Sequence, residues 1–150
     1  MRIRRATGED KETLLELGRD MHAESPRFSK LRYNDAKAAS LFDMLVDNPN
    51  GIVLLAEDGD KIIGMMAGFA SPHFFSFQLF ASDFVLYIDP AHRGGTTAMR
   101  LIKNFEQWAI ELGVAEIVLG VSTEVNAERT AEMYQRLGYE KSGITVIKRV

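Results

Sequence analysis

A chain of 150 residues is the usual size of one domain and can bury a core with a pocket. Its 46% hydrophobic and 26% charged content is ordinary for a soluble globular protein, and the lack of cysteine excludes disulfides, zinc fingers and thiolate nucleophiles. The net charge of −3 gives no electrostatic case for broad nucleic-acid binding, although a local basic pocket could still hold a phosphate-bearing small molecule.

Met1 leads into Arg2-Ile3-Arg4-Arg5 with no apolar signal region, and no window approaches the roughly 18 apolar residues of a membrane helix. A cytoplasmic chain without membrane contact is expected. Ile3 sits in a short extended start, which Thr7 and Asp10 close with the spacing of a capping box. Leu14, Leu17, Gly18 and Met21 then recur at helical spacing until Ser25-Pro26. A polar loop leads to a second helix from about Asp35 to Val46, closed by Asp47-Asn48-Pro49-Asn50-Gly51. Ile52 to Ala56 and Lys61 to Ala70 read as hairpin strands around Glu57-Asp58-Gly59-Asp60. Ser71 to Phe80 carries Phe74, Phe75, Phe77 and Phe80, and a strand follows from about Ser82 to Ile88. From Thr97 to Leu112 a stripe of Ala98, Leu101, Ile102, Phe105, Ala109 and Leu112 marks a helix, with Gly113 placed to end it. Glu116 to Val121 reads as a buried strand, Asn126 to Leu137 as a helix, and Ile144 to Val150 as a last strand. The strand-helix-strand unit in the second half favours locally parallel pairing. His22, His73 and His92 lie far apart without ligand spacing, so no metal site is expected.

The strongest chemical signal is Ile88-Asp89-Pro90-Ala91-His92-Arg93-Gly94-Gly95-Thr96-Thr97-Ala98. A strand ends, a Pro-started turn follows, and two glycines precede a long helix. Gly94 and Gly95 can take positive φ and admit a ligand close to the backbone. The N–H groups of Gly95, Thr96, Thr97 and Ala98 would converge on an anion at the positive end of the helix dipole, and Arg93 would add a charged contact. The arrangement suits a pyrophosphate. A tight turn with nothing bound is the competing reading of the same residues.

This segment resembles the signature of the GNAT superfamily of N-acetyltransferases: Arg or Gln, two residues, Gly, one residue, then Gly or Ala. Arg93-Gly94-Gly95-Thr96-Thr97-Ala98 matches at its first and last positions and has Thr96 at the middle Gly. Leu86 to Pro90 is similar to the family's fourth strand and its exit. Ala115 to Val121 is similar to the fifth, and Met133-Tyr134-Gln135-Arg136-Leu137-Gly138-Tyr139 to the closing Tyr-x-x-x-Gly-Tyr/Phe. The usual Asn lies seven residues before that Tyr, whereas Asn126 lies eight before it, and helix capping is its alternative role.

The resemblance implies an α+β fold with three layers. A central mixed, mostly antiparallel sheet of about six to seven strands with a splayed parallel pair would be flanked by four helices. It further implies one N-acetyltransferase domain over residues 1–150. That domain would move an acetyl group from acetyl-CoA, its co-substrate, to an amine by direct attack in a ternary complex. Backbone groups of Leu86, Tyr87 and Ile88 would pair with the pantetheine in the splayed gap, and an amide near Leu86 would polarise the thioester carbonyl. Tyr134 would protonate the leaving thiolate; its alternative role is core packing. For the general base the resemblance points to the start of the fourth strand, where Ser82 stands and Asp83 follows. Asp83 would face away from Ser82 in a regular strand, so a water relay through Ser82 or Tyr87 stays open. Specificity would come from His22 to Ser25, Arg32-Tyr33 and the Phe-rich stretch. Glu24 could attract a cationic amine, and the phenylalanines could line an apolar wall or join a homodimer. A GNAT-like module that binds acyl-CoA without turnover is the alternative to the enzyme.

Overall fold

The computed structural model describes all 150 residues. In chain order its elements are β1 (Arg2–Arg5), α1 (Lys11–Glu24), α2 (Asp35–Asp47), β2 (Gly51–Asp58), β3 (Lys61–Pro72), β4 (Leu79–Ile88), α3 (Thr97–Glu111), β5 (Glu116–Val118) and α4 (Ala127–Arg136). The strands form one sheet in sequence order, antiparallel throughout except for the parallel β4/β5 pair. This is the expected mixed α+β architecture with four helices, but the sheet has five strands where about six to seven were expected.

Local chemistry accounts for the boundaries. Thr7 and Asp10 close a capping box ahead of α1, and Asp10 also takes the Arg4 guanidinium at 2.8 and 2.9 Å. The Asn34 side chain accepts the Lys37 amide at 2.9 Å and starts α2. Between β2 and β3 the chain reverses at Gly59, whose φ of +60° suits a residue without Cβ.

Alternation along β2 divides the interior in two. Ile52, Leu54 and Ala56 join Met66 on one face, against Leu101, Ile102, Phe105, Trp108 and Ala109 of α3. Val53 and Leu55 join Met65 and Ala67 on the other, against Leu14 and Leu17 of α1 and Phe42 and Leu45 of α2. Each large side chain so buried contributes about 1.5–3 kcal/mol. The sheet is therefore a wall held from both sides, and β4 carries that rigidity to the molecule's cleft.

Three further expectations are corrected. β5 is three residues long with an exposed-intermediate-exposed pattern, so it is an edge strand and not a buried one reaching Val121. No strand forms over Ile144–Val150; Ile144 and Val146 are 95% and 90% exposed. Alternation alone makes no strand without a ladder partner, and β5 offers an edge too short for seven residues. Finally, Phe74, Phe75 and Phe77 are exposed in the turn between β3 and β4, outside the cleft described below.

Candidate active site

β4 bonds to β3 along its whole length, from Leu79 to Ile88, but to β5 only at Phe80, Ala81 and Ser82. Beyond Ser82 and Val118 the two parallel strands separate. The gap opens into a cleft of about 440 Å³ lined by Asp83 to Ile88 on one side and Gly120 to Thr123 on the other. Its floor runs to the start of α3, and α4 forms a further wall through Asn126, Arg129, Met133 and Tyr134.

A register shift within β4 decides what faces the cleft. Ala67 pairs with Val85 and Gly68 with Asp83, which leaves Phe84 as an extra residue. Such a bulge bends a strand and re-aims its side chains. Asp83 keeps the regular alternation, faces opposite to Ser82 and lies in the cleft wall; the extra residue reverses the alternation of Val85 to Ile88 beyond it. The Asp83 carboxylate accepts the Gly120 amide at 3.0 Å. Burial pushes its pKa from an ordinary 3.8 up to about 6, the Gly120 hydrogen bond opposing only part of that. A carboxylate titrating there can take a proton near neutral pH.

Tyr134 comes to the same place from α4. It is 6% exposed, and its hydroxyl donates to the Gly120 carbonyl at 3.5 Å. Burial, and secondarily the Asp83 charge, raise its pKa well above the ordinary phenol value, so the proton is retained. Gly120 thus connects the two, its amide bonded to Asp83 and its carbonyl to Tyr134. One potential base and one potential acid stand on either side of a single residue.

At the far end of the cleft the turn after β4 is built by local bonds. The Asp89 carboxylate accepts the Ala91 amide at 3.0 Å, Pro90 begins a short 3-10 turn, and Gly94 takes φ of +88°. Gly95 has no such φ; its expected left-handed freedom is not used. No acceptor within the chain takes the amides of residues 94–99, and a Cβ on Gly94 or Gly95 would meet nothing within 4 Å. Open amides at the tip of a 15-residue helix form an anion cradle, and Thr96 and Thr97 offer theirs as the glycines do.

Two side chains sit otherwise than the sequence implied. The Arg93 guanidinium bonds the Ile88 carbonyl at 2.8 Å and grips both oxygens of Glu24, one of them at 2.6 Å. The pair holds the Glu24 pKa below its ordinary value and raises that of Arg93. Glu24 is therefore neutralised from within, and Arg93 braces the turn. Asn126 stands at the N-cap position of α4 with φ of +48° and makes no side-chain cap bond, which corrects its capping role. Leu86, Tyr87 and Ile88 line the cleft, with the Tyr87 ring under Arg93 at 5.6 Å. The join at Gly120 went unread in the sequence, because nothing local distinguishes that glycine from a turn residue.

The sequence and the fold have counterparts in known proteins. The Acetyltransferase (GNAT) family profile matches residues 16–139. A tetramutant of a Bacillus halodurans protein superposes with a TM-score of 0.81 at 22% identity, covering 100% of both chains. The aminoglycoside antibiotic 6'-N-acetyltransferase of Acinetobacter haemolyticus gives 0.77 at 19% identity, over 100% of this chain and 98% of that one. An aminoglycoside acetyltransferase from an uncultured soil sample gives 0.74 at 18% identity, over 99% and 97%. No curated protein matches the sequence. At such identities the structural likeness speaks for the fold, while the profile spans most of the sequence: the chain belongs to the GNAT acetyltransferase family.

Proposed function

We propose that residues 1–150 are one N-acetyltransferase domain that moves an acetyl group from acetyl-CoA to an amine by direct attack. The observation that carries this is the half-unzipped β4. Its freed edge runs from Asp83, beside Tyr134, to the open amides of residues 94–99. A ligand with a diphosphate at one end and a reactive group an extended arm away fits that layout. Acetyl-CoA supplies an activated acetyl thioester and has this shape.

The chain's residues then divide the work. Gly94, Gly95, Thr96, Thr97 and Ala98 bind diphosphate oxygens through their amides. The free edge at Leu86, Tyr87 and Ile88 orients an extended arm by strand-like pairing, and an amide near Leu86 polarises the thioester carbonyl. Asp83 removes a proton from the incoming ammonium, directly or through water, since an amine attacks only when neutral. Tyr134, held protonated by burial, gives its proton to the departing sulfur. Asn126, on the cleft wall in a left-handed conformation, contributes there as a contact and not as a cap.

The acceptor is an amine that enters beside Asp83; aminoglycosides, acetylated by two of the proteins of like fold, belong in the first panel tried. Work in the cytoplasm without nucleic acid or membrane is part of the proposal; no helix is long and apolar enough to cross a membrane. A homodimer through the exposed phenylalanines is part of the same proposal. Release of free thiol from acetyl-CoA across a panel of amines, alongside calorimetric titration of coenzyme A, tests it. Amine-dependent release supports the transferase; coenzyme A binding with no release on any amine would leave only a binding module.

A further inference from the structure

The corner after α1 touches both sides of the cleft within four residues. Glu24, at the end of α1, holds Arg93, which follows β4. Ser25 is fully buried at 0% exposure, and its hydroxyl donates to the Thr123 carbonyl, beyond β5, at 2.6 Å. The same oxygen accepts the Phe28 amide at 2.9 Å, so the hydroxyl both donates and accepts. Arg27 adds a longer contact to the Ser122 carbonyl at 3.4 Å. No ladder bond joins β4 and β5 past Ser82 and Val118; one corner of the chain spans them instead.

The loop held by Ser25 has an unusual backbone. Glu124 has φ of +63° and Asn126 φ of +48°, and no other residues besides glycines are left-handed in this chain. Such conformations persist where neighbours over-determine them. Beyond the Thr123 carbonyl the local support is thin: the Val125 amide reaches the Thr123 hydroxyl at 3.3 Å, and Asn126 caps nothing. Gly120 precedes this loop and α4, with Tyr134, follows it, so its placement sets the distance from Tyr134 to Asp83 through Gly120.

We propose that Glu24 to Arg27 form a latch across the splayed strands, with Ser25 the positioning residue that fixes the β5–α4 loop and thereby Tyr134. The latch is a statement about structure; only its effect on turnover rests on the transferase reading. Removing the hydroxyl takes the one side-chain partner from the half-buried Thr123 carbonyl and the half-buried Phe28 amide, and the loop relaxes from its left-handed turns. Ser25 also ends α1, its amide bonding the Met21 carbonyl, but that backbone bond survives any side-chain change.

Amide hydrogen exchange on the full chain separates the latch from general packing. In Ser25→Ala, exchange over residues 119–128 should quicken about tenfold or more while β2 and β3 keep their protection. For whichever amine the panel selects, kcat should fall about tenfold with KM for acetyl-CoA changed by less than about twofold, since the cradle is untouched. Should Ser25→Ala fail to fold, Ser25→Cys keeps nearly the same volume with a weak donor and carries the same expectation. Unchanged exchange over 119–128, or a rise spread evenly over the sheet, would overturn the latch. If the wild type neither binds coenzyme A nor releases thiol, the exchange result still decides it. If the wild type turns over and the loop stays protected in the variant, the latch falls while the transferase stands.

Discussion

The two halves of β4 share one backbone and have opposite fates. Phe80 to Ser82 is bonded on both edges, with Ala81 at 0% exposure and Gly68 of β3 lying under Ser82 and the Phe105 ring. Asp83 to Ile88 is bonded on one edge only, and its other side faces the cleft. The first half is fold and the second is candidate site, with the bulged residue Phe84 near the start of the second. A rigid half-strand lets the free half keep unpaired groups aimed at a ligand without collapsing on its neighbour.

The largest expected effect falls on the free half. Tyr134→Phe removes a hydroxyl and little volume, so coenzyme A affinity should hold within about twofold while acetyl transfer slows on the order of a hundredfold or more. Calorimetry and single-turnover rates check the two parts. Normal turnover in the variant would reduce Tyr134 to a packing residue and leave the free half without its acid.

Asp83 makes the next contrast, through pH. Its raised folded pKa means that its protonated form suits the fold, so stability present below the unfolded value of 3.8 is lost as pH rises through about 6. Asp83→Asn keeps an acceptor for the Gly120 amide and removes the buried charge. The variant should gain up to about 3 kcal/mol over wild type at pH 8 and nothing near pH 3.5, read from urea midpoints. In the wild type the amine-dependent rate should rise with pH through about 6 and become flat in the variant. A stability difference indifferent to pH would mean that the carboxylate is better solvated than its place in the wall implies.

On the zipped half the expected change is in stability alone. A Cβ at Gly68 would press on the Ser82 carbonyl and the Phe105 ring, neither able to retreat far. Gly68→Ala should cost about 2 kcal/mol in urea unfolding and leave coenzyme A affinity unchanged in the folded fraction. Weakened binding at full folding would show that the two halves are coupled through the bulge.

What the sequence reveals divides along the same line. Helical and strand periods located every element up to α4, because amphipathic spacing is local. The turn after Pro90 and the Tyr134 to Gly138 run were legible too, each being a short motif that needs only its own neighbours. Asp83 was named, but the faces taken by Val85 to Ile88 after it depend on an extra residue at Phe84 that only cross-strand register shows. The Ser25 bond spans 98 residues and Glu24 to Arg93 spans 69, distances at which no periodicity speaks. The strand expected over Ile144–Val150 failed for the converse reason: its alternation was local, and a partner is not.

The Glu24 and Arg93 pair gives the smallest effect and the finest cut between fold and site. The pairing is bidentate, which favours it, yet both side chains remain about 30% exposed, at 28% and 31%, and water screens what they gain. A double-mutant cycle with Glu24→Gln and Arg93→Ala should give a coupling of about 1 kcal/mol or less in thermal unfolding. Arg93→Ala also frees the Ile88 carbonyl beside the cradle, so coenzyme A affinity should fall about tenfold, more than in Glu24→Gln. A large coupling in stability with unaltered affinity would assign the pair to the fold and leave the cradle to its backbone amides. The reverse would show that Arg93 exchanges Glu24 for phosphate when the ligand arrives, which calorimetry at rising salt would register as a steeper loss of affinity in wild type than in Arg93→Ala.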